Sequence, residues 1–122
     1  MQFTTLAVSA LALATSFVAA APAKRDGGSG QATYYYQNGN AGSCGQYNSD
    51  DTPIVAVNSA QMYDGLCGSP VWIQYNGNTI QATVADTCPT CSYGSLDLSV
   101  GAFNELTNGD MAAGEVPIQW WS

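Results

Sequence analysis

Apolar and polar residues alternate in short blocks along most of this chain, the two-residue period of strands with one buried face. In residues 71–75, Val71, Ile73 and Tyr75 share one face; in residues 79–85, Ile80, Ala82 and Val84 share another. Asn76-Gly77 lies between them and is the strongest hairpin signal in the sequence, because both residues tolerate the positive φ of a tight two-residue turn. Residues 116–121 alternate again, with Val116, Ile118 and Trp120 inward. Residues 32–36 have the Thr/Tyr composition of a strand. Ile54-Val55-Ala56-Val57 is a continuous apolar run that reads as a buried strand, and Leu96-Asp97-Leu98 as a short one. One segment has a helical period instead. Val100, Phe103 and Leu106 fall on one face, Ser99 is placed to cap it, and Asn108-Gly109 to stop it. Residues 59–63 have the length for one further helical turn. Many short strands with one or two short helices favour an all-β closed barrel, since closure leaves no strand edge unpaired.

The first residues break this pattern. Residues 6–20 form an uncharged run of Leu, Ala, Val, Phe, Ser and Thr, with small residues at Val18 and Ala20. Residues 1–20 therefore read as a secretory signal peptide, too short and too Ala/Ser-rich for a spanning helix. Residues 21–25 read as a short propeptide ending in Lys24-Arg25, a pair that resembles the dibasic sites cut in secretory precursors. Residues 26–30 read as a flexible Gly/Ser linker, and residues 31–122 as one domain. The expected location is extracellular, with no membrane anchor and a monomeric state.

Charge then narrows the chemistry. The sequence has two basic residues, nine acidic residues and no His. A chain beginning at Asp26 keeps all nine carboxylates and neither basic residue, a side-chain charge of −9. Nucleic-acid binding rests on Lys and Arg neutralising phosphates, so it is not expected. Phosphoryl transfer lacks its cationic clamp. Serine and cysteine hydrolases lack their usual His base, and zinc sites lack His ligands. Carboxylate chemistry remains, as does binding through hydroxyls, amides and aromatic faces. No metal and no cofactor are expected.

Four cysteines, Cys44, Cys67, Cys88 and Cys91, follow the export signal. An even count in an exported chain reads as two disulfides, with three possible pairings.

Four segments carry a family resemblance. They are Gly30-Gln31-Ala32-Thr33-Tyr34-Tyr35, then Gly42-Ser43-Cys44-Gly45, then Gly65-Leu66-Cys67-Gly68. The last is Val84-Ala85-Asp86-Thr87-Cys88-Pro89, running on to Leu96-Asp97-Leu98-Ser99 and Ala102-Phe103. In this order and spacing they resemble the RlpA-like double-psi β-barrel domain shared by expansins, barwin-like proteins and small secreted fungal proteins. The resemblance covers Gln31 to Trp121. It implies a six-stranded double-psi barrel with Cys44 bonded to Cys67 and Cys88 to Cys91.

Asp86 and Asp97 each interrupt an apolar strand, where a carboxylate is costly unless it faces a groove or finds partners. Capping of backbone N–H groups is the plain structural alternative. The resemblance implies more. Asp97 matches the catalytic acid of related endoglucanases and the essential aspartate of expansins, Asp86 a second groove aspartate, and Thr33 a threonine near them. The base of those endoglucanases has no counterpart, since Tyr34-Tyr35-Tyr36 stands there. The expansin His is replaced by Ser95-Leu96.

Of the aromatic residues, Phe103 and Trp120 read as core. Trp72 and Trp121 share the parity of Gln74 and Gln119, which places them outward, as sugar-stacking faces or as covers of a barrel end. Tyr34 and Tyr36 are candidates to line a groove near Thr33. Three functions follow as expectations. The first is an expansin-like protein that binds or loosens neutral cell-wall polysaccharide without hydrolysis. The second is a secreted protein-binding module, such as a cysteine-protease inhibitor or effector, using the loops at residues 43–52 and 87–94. The third is a weak glycoside hydrolase or lytic transglycosylase using Asp97.

Overall fold

A computed structural model describes residues 27–122 of the protein. The signal peptide, the propeptide and the Lys24-Arg25 cleavage expected above lie outside the described residues. Six strands form: β1 (Gly27–Tyr35), β2 (Ile54–Asn58), β3 (Pro70–Tyr75), β4 (Asn78–Cys88), β5 (Leu96–Ser99) and β6 (Val116–Trp121). One α-helix, α1 (Val100–Thr107), follows β5, and 3-10 turns occur at Asp64–Leu66 and Met111–Ala113. The strands close into a barrel in the order β1-β5-β2-β4-β3-β6. The β1–β5 and β2–β4 pairs are parallel, and the other four are antiparallel.

The alternation sets which side chains fill the barrel. Val55, Val57, Val71, Ile73, Ala82, Val84, Leu96, Leu98, Val116, Ile118 and Trp120 point inward and are buried. Phe103, Ala102 and Leu106 of α1 pack on the same core. Asn76 and Gly77 have φ of 50° and 82°, the two positive values a tight hairpin turn needs, and they join β3 to β4 with Tyr75 opposite Asn78. Asn108 ends α1 in the left-handed region, as a helix C-terminus favours.

Ser99 does more than cap. Its Oγ accepts from the N–H of Ala102 at 3.2 Å and from that of Ile54 at 3.2 Å, and it donates to the carbonyl of Thr52 at 2.7 Å. One fully buried hydroxyl thus joins the α1 start to the β2 start.

Two expectations change. Gly27–Gly30, read as linker, is the first half of β1, paired with β6 from Gly27 opposite Trp121 to Gly30 opposite Ile118. A Cβ on Gly27 would stand 2.3 Å from the carbonyl oxygen of Trp120, so the composition that resembled a linker serves a close backbone approach. The extra helical turn lies at Asp64–Leu66 rather than at residues 59–63. Asn58 accounts for this: its Oδ1 accepts from the N–H of Gln61 at 3.1 Å, a side-chain turn that competes with helix.

Both disulfides form: Cys44–Cys67, with 5.7 Å between Cα atoms, and Cys88–Cys91, with 5.4 Å. The first spans 23 positions and is worth about 3 kcal/mol in the chain-entropy picture; the second spans 3 and constrains one loop.

Candidate functional site

One row of residues crosses four adjacent strands. Thr33 of β1 is opposite Asp97 of β5, Asp97 is opposite Ala56 of β2, and Ala56 is opposite Asp86 of β4. The two aspartates are 11 positions apart in sequence but flank a single alanine. Ala56 is buried, and its methyl group leaves room on either side for the carboxylates.

A register shift puts Asp86 there. Val55 is opposite Val84, yet the next residue, Ala56, is opposite Asp86. Ala85 is the extra residue, a bulge that breaks the alternation of β4. Without it, Asp86 would continue the inward series of Ile80, Ala82 and Val84. The bulged backbone is bonded too: the Cys44 N–H donates to the Ala85 carbonyl at 3.2 Å.

The carboxylates have different partners. Asp97 Oδ1 accepts from Thr33 Oγ1 at 2.8 Å. Burial raises the Asp97 pKa above the usual carboxylate value; the Thr33 hydrogen bond opposes this, and the negative charge of Asp86 adds to it. Asp86 Oδ1 accepts from the backbone N–H of Ser43 and of Thr87, both at 2.8 Å, and its Oδ2 from the Tyr35 hydroxyl at 3.3 Å. The loop bringing Ser43 depends on Gly42, where a Cβ would stand 2.4 Å from the Ala85 carbonyl oxygen. The Tyr35 phenol is pushed up to about 12, by burial first and next by the charge of Asp86.

A cavity of about 240 Å³ opens beside Asp97. Gln31, Thr33, Thr90, Ser92, Ser95 and Glu115 line it with both cysteines of the Cys88–Cys91 bridge. Its surface therefore combines hydroxyls, an amide and two carboxylates with the apolar disulfide and Leu96. Among the described residues no cluster of three or more His, Cys, Asp or Glu is arranged to hold a metal ion.

Of the residues singled out from sequence, Asp97, Asp86 and Thr33 come together. Tyr34 and Tyr36 do not join them. Tyr34 lies on the opposite side of β1, with its ring 4.8 Å from that of Phe103 and 6.3 Å from that of Tyr36. Strand alternation explains this: Tyr34 shares parity with the core residue Ala32, whereas Tyr35 shares parity with Thr33. Tyr35 and Glu115 are the site residues that sequence reasoning missed. The parity of Thr33 marks Tyr35; no local signal marks Glu115. Trp72 and Trp121 are half-buried and stand directly opposite each other across β3 and β6, away from Asp97.

No protein-family model matches the chain. By sequence it is 40% identical to "Allergen Asp f 7" of Aspergillus fumigatus over 96 residues, 75% of this chain and 35% of the allergen. It is 38% identical to a papain inhibitor of Streptomyces mobaraensis over 85 residues, 63% of this chain and 59% of that protein. The chain thus spans about a third of the one relative and over half of the other. Among solved structures, an expansin of Clavibacter michiganensis in complex with cellohexaose superposes with a TM-score of 0.66 at 33% identity, over 78% of this chain and 49% of that one. The Streptomyces papain inhibitor superposes with a TM-score of 0.68 at 32% identity, over 80% of this chain and 94% of that one. The chain belongs to the family of small double-psi β-barrels that includes the Streptomyces papain inhibitor.

Proposed function

We propose that the protein binds neutral cell-wall polysaccharide in the groove at Asp97 and loosens glycan contacts without cutting a bond. The observation that carries this is the Thr33–Asp97 pair opening into a hydroxyl-lined cavity. Ser, Thr and Gln side chains match sugar hydroxyls in both donor and acceptor sense. The expansin relative crystallised with cellohexaose supports the ligand class. Inverting hydrolysis needs a base about 6.5–9.5 Å from the acid. Asp86 is engaged by two backbone N–H groups and a phenol and does not line the cavity. Glu115 is the only other carboxylate that lines it among the described residues. The test is depletion of the purified protein from solution by insoluble cellulose, chitin and whole cell walls, with Asp97→Asn alongside and soluble sugar assayed. Depletion that the variant weakens, with no sugar released, is the expected result. Sugar release that Glu115→Gln abolishes would replace binding with hydrolysis.

A second reading has its own support. Tyr47, Tyr63 and Tyr93 are 75%, 52% and 70% exposed, on loops held by the two disulfides. Exposed tyrosines on stiff loops suit protein recognition, because they bring large contact area at little entropy cost. The papain inhibitor relatives support this reading. Inhibition of a papain-like protease that Tyr93→Ala or Tyr47→Ala weakens at least tenfold, and Asp97→Asn leaves intact, would favour it.

A further inference from the structure

The barrel wall opposite the aspartate row has a second ordered surface. In the closed order, β5 and β2 lie on one side and β6 and β3 on the other. On the outer face of that second side, Gly27, Trp121, Trp72 and Gln81 form one row across β1, β6, β3 and β4. Ser29, Gln119, Gln74 and Thr79 form the next. Each row spans three strand spacings, about 14 Å.

Its chemistry differs from the rest of the molecule. No Asp or Glu occurs in β1, β3, β6 or positions 78–83 of β4, although the sequence has nine carboxylates. Trp120, the inward neighbour, donates its indole N–H to the Gly94 carbonyl at 3.0 Å. Trp72 and Trp121 are half-exposed, and neither indole N–H has a partner among the described residues. Beside the pair, Ser29, Gln31, Gln74, Asn76, Pro117 and Gln119 line an open depression of about 660 Å³. Two indoles next to a field of amides and hydroxyls, with no charged side chain in either row, complement a neutral chain rich in hydroxyls, with C–H faces to stack and O–H groups to bond. A cationic partner would find its charge complement elsewhere on the barrel.

We propose that the Trp72–Trp121 face is a second contact site for neutral polysaccharide, so that one barrel bridges two glycan chains. This rests on the neutral-glycan ligand class proposed for the Asp97 groove, but on separate residues. The test is an NMR titration of the purified protein with cellohexaose and with chitohexaose, following the three indole N–H signals and the Thr33 and Asp97 amides. The expected result is that Trp72 and Trp121 shift saturably while Trp120 stays fixed, in native protein and in Asp97→Asn alike. Retention on the matching insoluble polymer then falls at least tenfold in Trp72→Ala/Trp121→Ala and recovers in Trp72→Phe/Trp121→Phe. Shifts confined to Thr33 and Asp97 would overturn this proposal and leave the groove reading standing. Shifts at the tryptophans alone would keep this contact site but remove the groove, and would overturn the bridging of two chains. Silence at all signals would overturn both. Tryptophan shifts that follow protein concentration without sugar, with a dimer in sedimentation, would assign the face to a second copy and overturn the proposal.

Discussion

Thr33 Oγ1 donates to Asp97 Oδ1 at 2.8 Å from one parallel strand to the next, so the threonine holds the carboxylate form of a residue that burial pushes the other way. Thr33→Val removes the donor while conserving shape. The Asp97 pKa should rise further, and any pH dependence of polysaccharide binding should move to higher pH with it. Titration of the Asp97 carboxyl by NMR in both proteins checks this; an unchanged pKa would show the hydrogen bond to be electrostatically idle.

The sign of the Asp97 shift also predicts stability. A carboxyl whose folded-state pKa is raised binds its proton more tightly folded than unfolded. Its contribution therefore favours the fold at low pH and declines as pH rises from 3.8 through the raised value. Asp97→Asn should melt above native protein at pH 7 and close to it at pH 3. The gain should be a few degrees at most, since solvent screens a half-exposed group. Melting curves at the two pH values decide it.

Removal of the buried Ser99 hydroxyl strands two N–H donors and a carbonyl that depend on it. Ser99→Ala should cost about 2 kcal/mol, from a lost helix cap together with an unsatisfied buried strand donor. Urea unfolding at constant m-value would read it directly.

The disulfides should separate into two kinds. Loss of Cys44–Cys67 through a double Ser substitution should cost about 3 kcal/mol. Loss of Cys88–Cys91 should cost much less but loosen the wall of the Asp97 cavity, weakening ligand binding more than stability. Unfolding and polymer-binding curves on the two double variants test the contrast.

The strands were legible because burial on one face writes a two-residue period into residues such as Val71, Ile73, Val116 and Ile118. Asp97 was legible for the same reason, as an acid between two buried leucines. What hid the rest was mostly non-local. The outward turn of Asp86 depends on one surplus residue, Ala85, whose effect appears only when β4 is laid beside β2. Glu115 reaches the Asp97 cavity through tertiary placement alone. Tyr35 was a different case: three consecutive tyrosines masked a parity that Thr33 already sets. Gly27–Gly30 carries the composition of a tether but the hydrogen bonding of a strand, because glycine serves both.

The pairing of Gly27 with Trp121 brings the start of β1 and the end of β6 side by side. Any segment joined before the barrel and any joined after it must leave from one corner. A short peptide can therefore splice those two ends, and the barrel can be reopened at an exposed turn such as Asn76-Gly77 as a circular permutant. Cargo fused at either end would leave from beside Trp121, six positions along β1 from the Thr33 that faces Asp97, so the two walls of the barrel should differ in how readily an attached domain shades them.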